Sequence, residues 1–116
     1  MDDHEARGLL EGRRTELERI RDFAREQLGP APGEQELATY DQHPADLATD
    51  TIQREQHLSE IDMASESLRE VEEAMRRLDA GTYGVCEVGG ERIPDARLRA
   101  LPEARTCVRH AAEAVV

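Results

Sequence analysis

IDMASESLREVEEAMRRLDAG, residues 61–81, is the stretch that decides the fold. Ile61, Ala64, Leu68, Val71, Met75 and Leu78 recur at spacings of three, four, three, four and three. That unbroken alternation is the seam of a coiled coil, in which apolar residues return to one face on average every 3.5 positions. The charges between them, as in REVEEAM, read as a solvated helix face. Ala80-Gly81 closes the helix, because a glycine adopts the left-handed cap conformation without penalty. Upstream, the helix is expected to begin near residue 46, its start set by Pro44 or by Asp46 as a cap. At ~1.5 Å per residue, its length from 46 to 80 is about 50 Å. Above Leu58 the period becomes ragged, with Arg54 and His57 where the seam would want apolar residues.

A rod of this kind needs a partner, and residues 5–28 supply one. Leu10, Leu17, Ile20, Ala24 and Leu28 form a single apolar stripe at helical spacing, with Arg and Glu or Asp alternating around it. GPAPG, residues 29–33, cannot continue a helix and makes the turn. Two stripes joined by such a turn predict an antiparallel helical hairpin over residues 1–80. Its tip spans about residues 29–48. The fold class is therefore all-α, with residues 81–116 gathered at the base as a smaller subdomain. Turn signals at Gly84, Gly89-Gly90, Pro94 and Pro102 mark that part, and a short terminal helix is expected from near Glu103.

Composition agrees with a rod and narrows the function classes. The chain has 116 residues, 3% of them aromatic and 35% charged, too little bulky apolar material for a wide core. The formal charge of −11 opposes duplex binding, which needs a basic face, so no direct sequence-specific DNA contact is expected. An acidic rod is steered instead towards a basic protein groove. No apolar run is long enough to span a bilayer, and MDDHEARG lacks the character of a signal peptide. The expected location is the cytoplasm, where the two cysteines stay reduced, and the expected state is a monomer.

Those cysteines sit in the spacing Cys86-x2-Gly89-x17-Cys107-x2-His110. With a cysteine in place of Gly89 this would be the general pattern of a structural zinc site, two ligand pairs separated by a loop. Zinc accepts thiolate and imidazole together, and a two-residue spacer lets one tight turn aim both members of a pair at one ion. Cys86, Cys107 and His110 are the candidate ligands, zinc the candidate cofactor, and Gly89 the place where a ligand is lacking. Glu87 and Glu91 are near enough in sequence to offer an oxygen. Packing of Tyr83, Ile93 and Leu98 is expected to support the finger, with Arg97 and Leu98 docking it onto the hairpin.

The same residues carry a family resemblance. Tyr83, Gly84, Cys86, Gly90, Ile93, Arg97, Leu98, Ala100, Pro102, Ala104 and Cys107 agree in order with the C-terminal finger of the DksA/TraR family of bacterial transcription regulators. YDQHPADLATDT, residues 40–51, resembles the tip of a Gram-positive branch of that family, in which His is familiar as the last finger ligand. The resemblance implies a coiled-coil rod with the finger at its base. It also implies a protein that binds RNA polymerase, enters its secondary channel and places its tip near the active centre, in some members together with the alarmone ppGpp. The family's tip motif is Asp, two residues, then Asp-x-Ala. Here Asp46 and Ala48 match, and His43 stands in the first position.

An enzymatic reading has little to stand on. The chain has no Gly-rich phosphate loop, no activated nucleophile arrangement, and no H-x-E before its cysteines of the kind zinc deaminases carry. The alternatives to a polymerase regulator are an acidic coiled-coil adaptor for another protein and a thiol-based redox sensor.

Overall fold

The structure is a computed structural model, and it describes residues 1–29 and 44–111, the side chains of 44–49 excepted. Helix α1 spans Asp3–Leu28, α2 spans Pro44–Ala80 and α3 spans Asp95–Ala100; a 3-10 turn follows at Val108–His110. No strand occurs among the described residues, only an isolated antiparallel bridge between Val85 and Arg92. The molecule measures 60 × 27 × 20 Å, the proportions of a rod with a thickened end. Among the described residues no helix is long and apolar enough to cross a membrane.

Local chemistry sets the helix ends. The Asp2 side chain accepts from the Glu5 N–H at 2.7 Å, satisfying one of the free donors of the first turn. Pro44 opens α2, where a residue without an N–H removes no intrahelical bond. At the other end Gly81 takes φ 80. Its N–H donates to the Leu78 carbonyl at 3.2 Å and the Thr82 N–H to the Arg77 carbonyl at 2.8 Å, the double closure of a Schellman cap.

α1 and α2 run antiparallel. Arg7 pairs with Asp79 at 2.6 Å, Arg14 reaches the Met75 sulfur at 3.7 Å, and Arg54 donates to the Leu28 carbonyl at 3.2 Å. Between these rungs Ala6, Leu10 and Leu17 of α1 bury against Leu68, Val71, Ala74 and Leu78 of α2. Burial of each leucine or valine contributes about 1.5–3 kcal/mol, and the small Ala6 and Ala74 let the two backbones approach. The seam does not run the full length. Ile20, expected in the α1 stripe, is 42% exposed, and Phe23, Ile52 and Leu58 are exposed as well. The buried residues Leu10, Leu17 and Ala24 of α1 recur every seven positions, and Ile20 falls beside that line rather than on it.

Beyond Gly81 the chain folds back on the base of the hairpin around a second cluster, Cys86, Ile93, Leu98, Ala104 and Cys107. Tyr83 and Met1 touch both clusters. The Tyr83 hydroxyl donates to the Pro102 carbonyl at 2.8 Å. Arg13 holds the buried Glu103 at 3.1 and 3.3 Å, Arg105 holds Glu70, and Arg99 holds Glu5 at 3.1 Å. These ion pairs and Tyr83 dock the base. Arg97 works differently from the docking role expected of it: its Nε donates to the Thr106 carbonyl at 2.8 Å and braces the base internally. The short helix also lies elsewhere than expected. It occupies Asp95–Ala100, started by Pro94, whereas from Glu103 to Ala111 the chain forms turns and that 3-10 turn. Ala104, Thr106 and Cys107 are buried by turning inward rather than along one helical face.

Candidate metal centre

The turn after Val85 builds the first half of the site. The Cys86 N–H donates to the Glu91 carbonyl at 2.8 Å and the Gly90 N–H to the Cys86 carbonyl at 2.9 Å, so residues 86–91 close into a knuckle. Gly90 takes φ 77 at its corner, a conformation that a Cβ would strain. The knuckle aims the Gly89 N–H at the Cys86 sulfur, 3.5 Å away. The second half is the 3-10 turn, in which the His110 N–H donates to the Cys107 carbonyl at 3.1 Å. A bond from the Glu87 N–H to the Arg105 carbonyl, 2.9 Å, holds the two halves together.

Cys86, Cys107 and His110 converge as their spacing suggested, and Glu91 joins them. One donor atom from each of the four lies within 4.8 Å of every other. His110 Nδ1 stands 3.4 Å from Cys86 Sγ, 3.3 Å from Cys107 Sγ and 2.9 Å from a Glu91 oxygen; Cys107 Sγ is 3.0 Å from the same oxygen. Tetrahedral zinc with sulfur at about 2.3 Å and nitrogen or oxygen at about 2.0–2.2 Å has donor edges only a few tenths of an ångström longer. The residues fit a zinc ion by kind and by spacing. A zinc ion held by all four would keep no open position, as structural sites do. Of the two acidic residues near the knuckle, Glu87 turns away to Arg105 at 3.5 Å and Arg77 at 3.9 Å. Only three dimensions tell it from Glu91.

The electrostatics are those of a ligand set held ready. Burial alone would raise the Cys86 thiol. The backbone N–H groups of Gly89, Cys107 and Val88, together with His110, outweigh it and lower the thiol to about 7. Cys107 moves the other way: the Glu91 carboxylate accepts its proton and raises its pKa, and burial adds to the effect. The same Cys107 donor, with His110 and Arg109 nearby, holds Glu91 below the usual carboxylate range. A metal ion held here would have to displace a proton from Cys107, whereas Cys86 would offer its thiolate near neutrality.

The tip candidates lie at the opposite end. Asp46 and Ala48 fall in the first turns of α2, their side chains outside the described residues, and His43 lies outside the described residues altogether.

A hairpin with a cysteine- and histidine-bearing finger at its base defines a class, and comparison with known proteins gives it a name. Residues 81–109 match the prokaryotic DksA/TraR C4-type zinc finger. The whole chain superposes on the structure of transcription factor DksA2 from Pseudomonas aeruginosa with a TM-score of 0.74 and 29% identity, covering 98% of this chain and 85% of that one. An uncharacterized protein of Aquifex aeolicus is 35% identical over 105 residues, 90% of this chain and 70% of its own. The RNA polymerase-binding transcription factor DksA of Caulobacter vibrioides is 38% identical over 64 residues, 55% of this chain and 45% of its own. The chain belongs to the DksA/TraR family. It spans 34% of the length of a further relative, an uncharacterized Bacillus subtilis protein that is 42% identical over 81 residues.

Proposed function

We propose that this protein is a transcription regulator that binds RNA polymerase, with the hairpin entering the secondary channel and its tip brought near the active centre. The family consists of regulators rather than enzymes. One relative is named as an RNA polymerase-binding transcription factor and one structural neighbour as a transcription factor. The observation that carries the reading is the match to the latter over 98% of the chain, which takes in rod and finger in one arrangement. The rod suits the task physically. The molecule is 60 Å long and narrow, and the chain's charge of −11 favours a basic, enclosed groove.

In this reading the base forms a separate unit from residue 81 onward that fixes the rod against the outside of the polymerase, and the tip residues act within. Asp46 supplies a carboxylate able to contact metal-bound or basic groups. Ala48 matches the family's tip motif, and His43 would offer a neutral or cationic ring at the motif's first Asp. Pull-down with purified RNA polymerase tests the binding, and absence of capture at micromolar protein overturns it in favour of an adaptor for another partner. Transcription assays with and without ppGpp then test the tip. Asp46→Ala is expected to abolish the effect on promoter complexes while leaving capture intact. If the variant still regulates like the parent, Asp46 has no role at the tip.

A further inference from the structure

We propose that Glu91 is the fourth ligand of the finger, taking the place of the cysteine that Gly89 lacks, so that zinc is held by two thiolates, one imidazole and one carboxylate.

The argument begins with the room around Gly89. A Cβ built there falls inside the envelope of the Glu91 carboxylate and only 2.6 Å from His110 Cε1. The carboxylate therefore fills the volume that a side chain at position 89 would take. Backbone conformation does not explain the glycine. Gly90 next to it needs its positive φ, whereas Gly89 is not among the residues with positive φ. What keeps a side chain out is the occupied space.

The knuckle explains how a residue two places later reaches the same point. The Cys86–Glu91 and Gly90–Cys86 backbone bonds bring Glu91 directly across from Cys86. A two-carbon side chain then reaches back over Gly89 to the sulfur and nitrogen donors, 3.0 Å from Cys107 Sγ and 2.9 Å from His110 Nδ1. Charge supports the exchange too. Carboxylate, like thiolate, carries one negative charge, so the count of three anionic donors and one neutral donor is that of a three-cysteine, one-histidine finger. What changes is softness: oxygen suits zinc but weakens the preference for softer, thiophilic ions. Arg109, 3.6 Å from the same Glu91 oxygen, offers the outer-shell partner that ligating carboxylates commonly have.

The test uses the full-length protein stripped of metal, titrated with cobalt(II) for its spectrum and with zinc against a competing chelator. The parent is expected to bind one equivalent of either ion, with tetrahedral d–d bands and charge transfer from two thiolates. Glu91→Ala and Glu91→Gln are each expected to weaken zinc binding at least about tenfold, the loss typical of disturbing a metal's ligand shell, and to shift the d–d bands while two-thiolate charge transfer persists. Gly89→Cys combined with Glu91→Ala is expected to restore affinity, with charge transfer rising to that of three thiolates. Helical circular dichroism on each variant separates loss of a ligand from loss of fold, and the combined variant gives a gain that misfolding cannot imitate. Zinc affinity of Glu91→Ala within about twofold of the parent, with unchanged d–d bands, overturns the proposal. So does a parent that takes no metal while Gly89→Cys does. Polymerase capture is read separately, so either result leaves that question standing on its own.

Discussion

The rod buries Leu10, Leu17, Val71 and Leu78 along a repeating seam, whereas the base buries Ile93 and Leu98 around two thiols that no repeat connects. Each seam residue meets neighbours three or four positions away on its own helix and a matching row on the other. The base joins local turns to distant pairings such as Cys86 with His110 and Glu87 with Arg105, and to the rod itself. The rod's order is carried by many equivalent contacts, none indispensable. The base concentrates its order in one cluster of metal-ligating side chains and a few ion pairs.

The largest effect should come from opposing substitutions in the two clusters. Leu10→Ala and Leu98→Ala each leave a cavity at a site no more than 1% exposed and should cost about 2–5 kcal/mol in denaturant unfolding. They should differ in their response to metal. Zinc at about a hundredfold excess over its dissociation constant adds ~2.7 kcal/mol to whatever unit binds it. It should offset Leu98→Ala in that unit and leave the midpoint of Leu10→Ala unmoved. Equal shifts in both variants would show that rod and base unfold as one, and the comparison would fail.

A smaller effect tests the junction. Glu103 is 6% exposed and faces the partly exposed Arg13, so Glu103→Ala leaves that guanidinium only its exposed partner Glu16 at 3.5 Å. The expected cost is about 2 kcal/mol, below the range for fully buried pairs because water still reaches Arg13. Arg13→Ala alongside it should recover part of the loss, measured as a double-mutant coupling. Strict additivity would mean that this ion pair does not join the two regions.

The smallest effect is at Tyr83, which bridges the clusters. Burial raises its phenol from 10.0 to about 12, so the folded protein favours the neutral form. Its contribution is complete below pH 10 and is lost as pH climbs towards 12. Tyr83→Phe should cost about 1 kcal/mol at neutral pH for the lost bond to Pro102 and should flatten this alkaline decline. An unchanged alkaline limb in the variant would assign the decline to other groups.

The architecture was legible because it is written in short intervals. The Ile61-to-Leu78 spacing and the stop at Gly81 each depend on neighbours within a turn or two, and the structure has the seam and the Schellman cap there. Ile20 is the instructive failure. Its spacing placed it in the stripe, but the buried line of α1 runs through Leu10, Leu17 and Ala24 and leaves Ile20 beside it, a choice made by how the two helices meet. Arg97 fails for a similar reason, since nothing near it in sequence says that the Thr106 carbonyl will be its partner.

By itself the sequence determined a helical hairpin, its stop at Gly81, and a finger built on Cys86, Cys107 and His110, because periodicity and paired spacing are properties of adjacent turns. Only the tertiary structure decided between Glu87 and Glu91. Both lie within five residues of Cys86, and the choice falls to a knuckle that turns one towards Arg105 and the other over Gly89 into the cluster. A donor set closes when distant backbone segments meet, and the distance between those segments is not written in the order of the residues.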